Sequence, residues 1–232
     1  MLTLLSPSVR VPDMSRAIFI PACVFVISFL ASASAIDLAG LATTALSGDP
    51  ASVKSLREAG PPGLEALLRE AAPQVAELRL NKVRLDADSI LSLRTAVDGV
   101  AGQRDAWASG LYWFTDLTAA KVEAVKTKRP ILSLRLLGNL DEEYCCANSR
   151  FFRTVLYANE AVSKLLRGSY VLHWKSVRPA PLLTIDMGDG RRIKRTITGN
   201  SIHYLLDADG TVLNAFPGIY SPAGFMAALE GQ

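Results

Sequence analysis

The sequence predicts an α/β protein in which a mixed β-sheet is flanked by helices and preceded by a small all-helical segment. In the N-terminal part, apolar residues recur at helical spacing, as in Leu64, Leu67, Leu68, Ala71 and Val75. Further along, helical patterns alternate with short apolar runs, and Gly- and Asp-rich turn signals separate the later runs. A helical pattern between two apolar runs is typical of a β-α-β unit, from which layered α/β domains are built.

Residues 1–35 are predicted to be a signal peptide. A basic Arg16 precedes an apolar run from Ala17 to Leu30, and small residues lead to a cleavage point near Ala35. The run is shorter than the roughly 20 apolar residues that a membrane-spanning helix needs. We therefore expect an exported protein, periplasmic or extracellular, with membrane contact only if the segment stays uncleaved as an anchor.

Residues 36–105 are predicted to form a helical region. Asp49 and Pro50 are a typical start signal for one helix, and Gly60 followed by Pro61 ends it. No cluster in this region carries recognisable chemistry. Its expected role is packing or contact with a partner.

Residues 106–232 are predicted to form the α/β domain. An aromatic cluster at its start is expected to cover the core rather than to bind a ligand. The predicted elements follow in chain order: a helix with the stripe Leu117, Ala120, Ala124 and Val125 that stops at Arg129-Pro130; the strand ILSLRLLG; a helix with Phe151, Phe152, Val155 and Leu156; a helix capped by Asn159; the strand SYVLHW; hairpins with turns at 188–190 and 207–210; and a helix capped by Ser221.

The charge balance excludes a nucleic-acid interface. The 232 residues carry a net charge of +3, and removal of residues 1–35 leaves +2. So small a surplus does not favour nucleic acid or a charged membrane surface as partner.

Two adjacent cysteines, Cys145 and Cys146, directly precede a predicted helix in EEYCCANSRFF. Their Cα atoms are about 3.8 Å apart across a trans peptide bond, so a disulfide between them would be strained and easily reduced. From the residues alone, the pair is a redox site, a metal site or two small apolar residues. His173 and His203 would be further metal ligands, but their spacing fits no known zinc motif. We expect hydrogen-bonded structural histidines, no metal and no cofactor.

The chain from about Leu111 to its C-terminus resembles the thioredoxin superfamily, in particular exported thioredoxin-like proteins. The resemblance rests on four stretches in order: ILSLRLLG leading from KTKRP to a cysteine at a helix start, YANEAVSKLLRGSYVLHW, YLLDADGTVL and SPAGFMAAL. It covers a little over half of the chain. It implies a thioredoxin-like mixed sheet and thiol-disulfide or peroxide chemistry, with a protein or small-molecule thiol or disulfide as partner.

The resemblance places the family's Cys-x-x-Cys motif on Cys146 to Ser149, followed by the basic Arg150. Cys146 is the implied nucleophile, whereas Ser149 stands where the second thiol is usual. Cys145 or an outside thiol would then have to resolve a mixed disulfide. The Ser149 hydroxyl either donates to the Cys146 thiolate or satisfies a backbone donor in the first helical turn.

The implied substrate groove lies at Asn200 and Ser201. The family usually has a cis-proline at the position of Ser201, and because non-proline cis bonds cost about 2.5 to 4 kcal/mol, we expect a trans bond and a changed groove.

Charged residues near Cys146 have opposing expected effects. A helix N-terminus, Arg150 and Arg153 stabilise a thiolate, whereas the acidic residues at 141–143 disfavour it. Arg135, a cation in an otherwise apolar strand, is expected to reach the sheet end near the cysteines or to pair with Asp186 or an acid at 141–143. Two interpretations stay open: a redox enzyme acting through Cys146, or an inactive thioredoxin-fold module whose N-terminal helices contact a partner.

Overall fold

Five helices joined by short connections make up the N-terminal region, in a computed structural model that describes residues 36–80 and 86–231. They are α1 (Leu38–Leu46), α2 (Pro50–Glu58), α3 (Pro61–Glu70), α4 (Ala72–Arg79) and α5 (Ala87–Ala101). As predicted, α2 begins at Pro50, and the Asp49 carboxylate accepts a hydrogen bond from the Ser52 amide at 2.8 Å. The predicted signal peptide lies outside the described residues. Within the described ranges, no helix is long and apolar enough to cross a membrane.

The remaining elements alternate between helices and strands. In chain order they are α6 (Ala106–Ser109), β1 (Trp113–Phe114), α7 (Leu117–Thr127), β2 (Ile131–Leu137), α8 (Ala147–Phe151) continued by a π-helical turn (Phe152–Leu156), α9 (Glu160–Ser169), β3 (Val171–Arg178), β4 (Leu182–Asp186), β5 (Arg192–Thr196), β6 (Ser201–Leu206), β7 (Val212–Pro217) and α10 (Pro222–Glu230). The caps predicted at Asn159 and Ser221 are confirmed, since their side chains accept from Val162 and Gly224 amides.

A five-stranded mixed sheet organises this part of the chain. Its strand order is β1-β3-β2-β6-β7; β3 is parallel to β1 and β2, whereas β6 runs antiparallel to β2 and β7. Strands β4 and β5 form a separate hairpin. The predicted α/β class with a mixed sheet flanked by helices is therefore confirmed.

Each face of the sheet belongs to a different hydrophobic cluster. Leu132, Leu134 and Leu136 lie in the larger cluster with residues from the π-helical turn, α9 and α10. Ile131, on the other face, clusters with Ala120 and other residues of α7. This alternation along β2 matches the two-residue period of a strand buried on both faces.

Two predicted core positions are exposed instead. Val125 is 65% exposed because α7 contacts the sheet through Ala120 and Ala124. Val125 follows Ala124 directly, so it lies about 100° further around the helix and faces away from the sheet. Val155 is 46% exposed because it lies in the π-helical turn, where the Tyr157 amide bonds to the Phe152 carbonyl five residues back at 2.7 Å. The wider turn shifts the side-chain spacing away from the helical period used for the prediction.

Buried hydrogen bonds join the helical region to the sheet. The Arg57 guanidinium donates to the Trp113 carbonyl at 2.5 Å, and the Trp174 indole donates to the Gly102 carbonyl at 2.7 Å. The Trp113 indole in turn donates to Gln103 at 2.7 Å. Although the helices have their own hydrophobic cluster, the chain from Ile36 onward forms one compact unit.

Candidate functional site

The two cysteines lie where the loop after β2 enters α8. Cys146 has extended backbone angles, caps α8, and donates its amide to the Leu137 carbonyl at 3.3 Å. Both thiols are free and fully buried. The junction between an inner strand and a helix, predicted from the sequence, is therefore the position that Cys146 occupies.

The Cys146 sulfur contacts a hydroxyl and a backbone carbonyl. Its Sγ lies 3.1 Å from Ser149 Oγ and 3.8 Å from the Asn200 carbonyl oxygen. Burial acts to raise the pKa of Cys146, but hydrogen bonds from the side chain and backbone of Ser149, together with backbone contacts at Asn200 and Leu137, outweigh it, so the pKa lies below the ordinary value for a thiol. Of the two roles expected for Ser149, the geometry matches the hydrogen bond to the sulfur.

Cys145 has a different environment. Burial raises its pKa, and the nearby Arg153 offsets this only in part. Its carbonyl accepts hydrogen bonds from Thr196 Oγ1 at 2.7 Å and from Arg150 Nη1 at 3.1 Å. Adjacent residues therefore carry thiols of opposite character, and Cys146 is the more acidic one.

The loop at residues 197–200, between β5 and β6, lies against the start of α8. The Ala147 amide donates to the Thr198 carbonyl at 3.0 Å, and the Asn148 side chain donates to Ser201 Oγ at 2.9 Å. A β-carbon at Gly199 would overlap the end of the Asn148 side chain, so a larger residue there would have to displace that side chain. The two expected groove positions are thus brought to the cysteines, where Asn200 contacts the sulfur through its carbonyl and Ser201 bonds to α8. The peptide bond between them is trans.

The predicted pairing of Arg135 with Asp186 is wrong. Asp186 lies in the β4–β5 hairpin and pairs with Arg192 at 3.0 Å. Among the described residues Arg135 forms no ion pair, and its Nη1 is buried without a hydrogen-bond partner. Its charge acts on His173, whose pKa it helps to lower. Arg150 contacts the Cys145 carbonyl rather than the Cys146 sulfur.

The acidic residues upstream of the cysteines are engaged elsewhere. Glu142 accepts a hydrogen bond from the Asn139 side chain at 2.7 Å, and Glu143 pairs with Arg104 at 2.5 Å. The Arg104 cation therefore offsets the charge of Glu143, whereas the neutral Asn139 amide leaves the charge of Glu142 in place.

Arg153, expected only to add positive charge near the thiols, also has a structural role that the sequence did not predict. Only 3% exposed, it donates to the Glu142 carbonyl at 3.1 Å and pairs with Asp105 at 3.5 Å. It therefore fixes the loop that precedes Cys145. An arginine directly after two phenylalanines of a helical stripe was the available signal, because a cation at such a position needs a buried partner.

Both histidines are buried structural residues, as predicted. His173 Nδ1 lies 2.8 Å from Ser133 Oγ, and His203 Nε2 lies 2.6 Å from the Tyr157 hydroxyl. Burial lowers the pKa of His203 to about 3, and burial together with Arg135 lowers that of His173 to about 4. Within residues 36–80 and 86–231, no group of three or more His, Cys, Asp or Glu residues could hold a metal ion.

The arrangement supplies one acidified thiol at a helix start, a hydroxyl donor beside it and a second thiol next in sequence. Such a group can act as a nucleophile when a substrate reaches it. Compared with known proteins, the chain matches no family model and no curated sequence.

Proposed function

We propose that the protein is an exported thioredoxin-like thiol oxidoreductase in which Cys146 attacks a disulfide or a peroxide. The observation that carries this proposal is the place of Cys146 at the strand-to-helix junction with its Sγ 3.1 Å from Ser149 Oγ, a contact that acts to lower the pKa of the thiol. Most buried cysteines behave as small apolar residues with a raised pKa, as Cys145 does.

The order of elements supports the thioredoxin-like interpretation. Strands β2 and β3 are parallel and joined through α8 and α9, the antiparallel pair β6–β7 follows, and α10 closes the chain. This is the order in which the four stretches resembling the superfamily occur. The β4–β5 hairpin stands outside that pattern.

The proposed disulfide reaction proceeds in two exchanges. The Cys146 thiolate attacks one sulfur of the substrate disulfide, a mixed disulfide forms, and the other substrate sulfur leaves as a thiolate. Cys145 or an outside thiol, after losing its proton, then attacks the Cys146 sulfur and releases the second substrate thiolate. The substrate is reduced by two electrons, and the two thiols are oxidised to a disulfide.

With a peroxide, the same thiolate attacks one oxygen and the O–O bond breaks. Cys146 becomes a sulfenic acid, and the leaving oxygen takes up a proton as water or an alcohol. Attack by the second thiol on the sulfenic sulfur then forms the disulfide and releases water. In both reactions, the loop at residues 197–200 must move because the thiol is fully buried.

A second candidate is a thioredoxin-fold binding module without catalysis, with the N-terminal helices contacting a partner. The complete burial of both thiols favours it. The two candidates differ in what Cys146 does, so they are separated by the same experiment.

The test compares wild type with Cys146→Ser and Cys145→Ser in turnover of a model disulfide and of hydrogen peroxide. We expect turnover in the wild type and its loss in Cys146→Ser. Cys145→Ser slows turnover if Cys145 is the resolving thiol and leaves it unchanged if an outside thiol serves. Turnover that is absent from the wild type, or equal in Cys146→Ser, would refute the enzyme and leave the binding module.

A further inference from the structure

A groove of about 740 Å³ lies between helices α3 and α4 and the edge of the sheet at β1 and β3. This volume is within the usual range for small-molecule sites. Leu68, Tyr112 and Phe114 contribute to an apolar and aromatic wall. None of the residues around Cys146 lines the groove, so it is separate from the site proposed above.

The groove has a positive charge that its own residues do not neutralise. Four arginines and two glutamates line it. Both glutamates have basic partners, because Glu65 pairs with Arg69 at 2.9 Å and Glu123 with a lysine of α7 at 3.3 Å. The other three lining arginines, Arg79, Arg129 and Arg167, form no ion pair with any acid among the described residues.

Two of these arginines meet at the C-terminal end of α6. Arg79 Nη2 donates to the Ala108 carbonyl at 3.4 Å, and Arg167 Nη1 donates to the Ser109 carbonyl. They are close enough that the charge of Arg79 adds to the effect of burial in lowering the pKa of Arg167. Glu160 opposes part of this effect but forms no ion pair with Arg167, and two like charges held together without an ion-paired acid are a typical anion-binding arrangement.

Two unpaired donors add to this arrangement. Arg129 Nε and Trp107 Nε1 are buried, line the groove and have no hydrogen-bond partner. Buried donors normally have partners, so these two are available to acceptor atoms of a ligand.

We propose that the groove binds an amphiphile with an anionic head and an apolar chain. The head lies between Arg79 and Arg167, and the chain lies along Leu68, Tyr112 and Phe114. A carboxylate and a phosphate monoester share the required chemistry, since both accept paired hydrogen bonds from guanidinium groups. A free fatty acid and a phosphate-headed lipid are therefore the two sources of such a ligand.

The test titrates the full chain with dodecanoate, dodecyl phosphate, dodecanol and acetate by calorimetry, below the concentrations at which the amphiphiles form micelles. We expect one saturable site for an anionic amphiphile, binding at least about tenfold weaker for the uncharged dodecanol, and no measurable binding of acetate. Comparing the affinity for dodecanoate with that for dodecyl phosphate distinguishes a fatty acid from a phosphate-headed lipid. Binding of either one supports the proposal.

The variant Arg79→Gln/Arg167→Gln should weaken anion binding about tenfold or more and leave dodecanol binding unchanged. The control Arg195→Gln removes an exposed arginine of β5 that lies outside the groove. It should leave the affinities for the anion and for dodecanol unchanged. Cys146→Ser should also bind normally, so this proposal and the redox proposal can fail independently. Equal affinity for dodecanoate and dodecanol, an equal loss in Arg195→Gln, or no saturable binding of either anion would overturn the proposal.

Discussion

Replacing Ser149 by Ala isolates the hydrogen bond that distinguishes Cys146 from Cys145. The hydroxyl lies 3.1 Å from the Cys146 sulfur, and both residues are fully buried. A hydrogen bond to a charged group contributes about 1.5 to 3 kcal/mol. The Ser149 amide also lowers the pKa of Cys146 and is retained in the variant. We therefore expect the lower end of the range, which corresponds to about a tenfold smaller thiolate population below the pKa.

The assay is alkylation of both thiols by iodoacetamide across a range of pH, with mass spectrometry to assign the modified cysteine. In Ser149→Ala, the pH-rate profile of Cys146 should move to higher pH and its rate at neutral pH should fall about threefold, because a thiolate of higher pKa is less abundant but more nucleophilic. For the same reason, the limiting rate at high pH should rise about threefold. Cys145, whose pKa is already raised by burial, serves as the internal reference.

A matched control is Ser163→Ala. Ser163 is also a buried helical serine, but its hydroxyl donates to the Glu160 carbonyl in α9 at 3.1 Å. Ser163→Ala should leave the pH dependence of Cys146 alkylation unchanged. An unshifted profile in Ser149→Ala, or the same shift in Ser163→Ala, would refute the assigned role of the Ser149 hydroxyl.

Three further predictions concern stability, each measured by urea denaturation. Gly63→Ala should lower the free energy of unfolding by about 1 to 3 kcal/mol, because a β-carbon would overlap a backbone carbonyl of α2. The control Gly168→Ala has open space around it and should be neutral or stabilising. Equal effects of the two substitutions would contradict this prediction. Tyr157→Phe should cost about 1 to 3 kcal/mol by leaving His203 Nε2 unpaired, and an unchanged midpoint would refute it. Burial raises the pKa of Asp98 to about 6, so the folded protein holds a proton there that the unfolded chain releases near pH 4. The contribution of Asp98 to the free energy of unfolding therefore falls as the pH rises from about 4 through 6. Asp98→Asn should be more stable than the wild type at pH 7 but not at pH 4.

Local sequence signals predicted the helices and strands well because the interactions that decide them join residues close in sequence. Asp49, Asn159 and Ser221 cap helices through amides three residues away, and a two-residue period placed Leu132 and Leu134 on one face of β2. Such contacts require no knowledge of the rest of the fold.

The charged residues were harder to place because their partners are distant in sequence. Pairing with Asp186 was one of the outcomes expected for Arg135, but the hairpin turn brings Arg192 to that carboxylate instead. Arg153 finds Asp105 nearly fifty positions earlier, across the boundary between the helices and the sheet. Only the fold decides which acid reaches a given cation.

The reactivity of Cys146 depends on two separate quantities, the thiolate fraction and the accessibility of the sulfur. Ser149 controls the first through its hydrogen bond. The second involves the loop at residues 197–200, because the Asn200 carbonyl lies 3.8 Å from the buried sulfur and Gly199 lies against the Asn148 side chain. Displacing this loop would let water reach the sulfur and so remove part of the burial that raises the pKa of Cys146, but it would also remove the Asn200 backbone contact, which lowers that pKa. Ser149 lies in α8 rather than in the loop, so its hydrogen bond to the sulfur would remain when the loop opens.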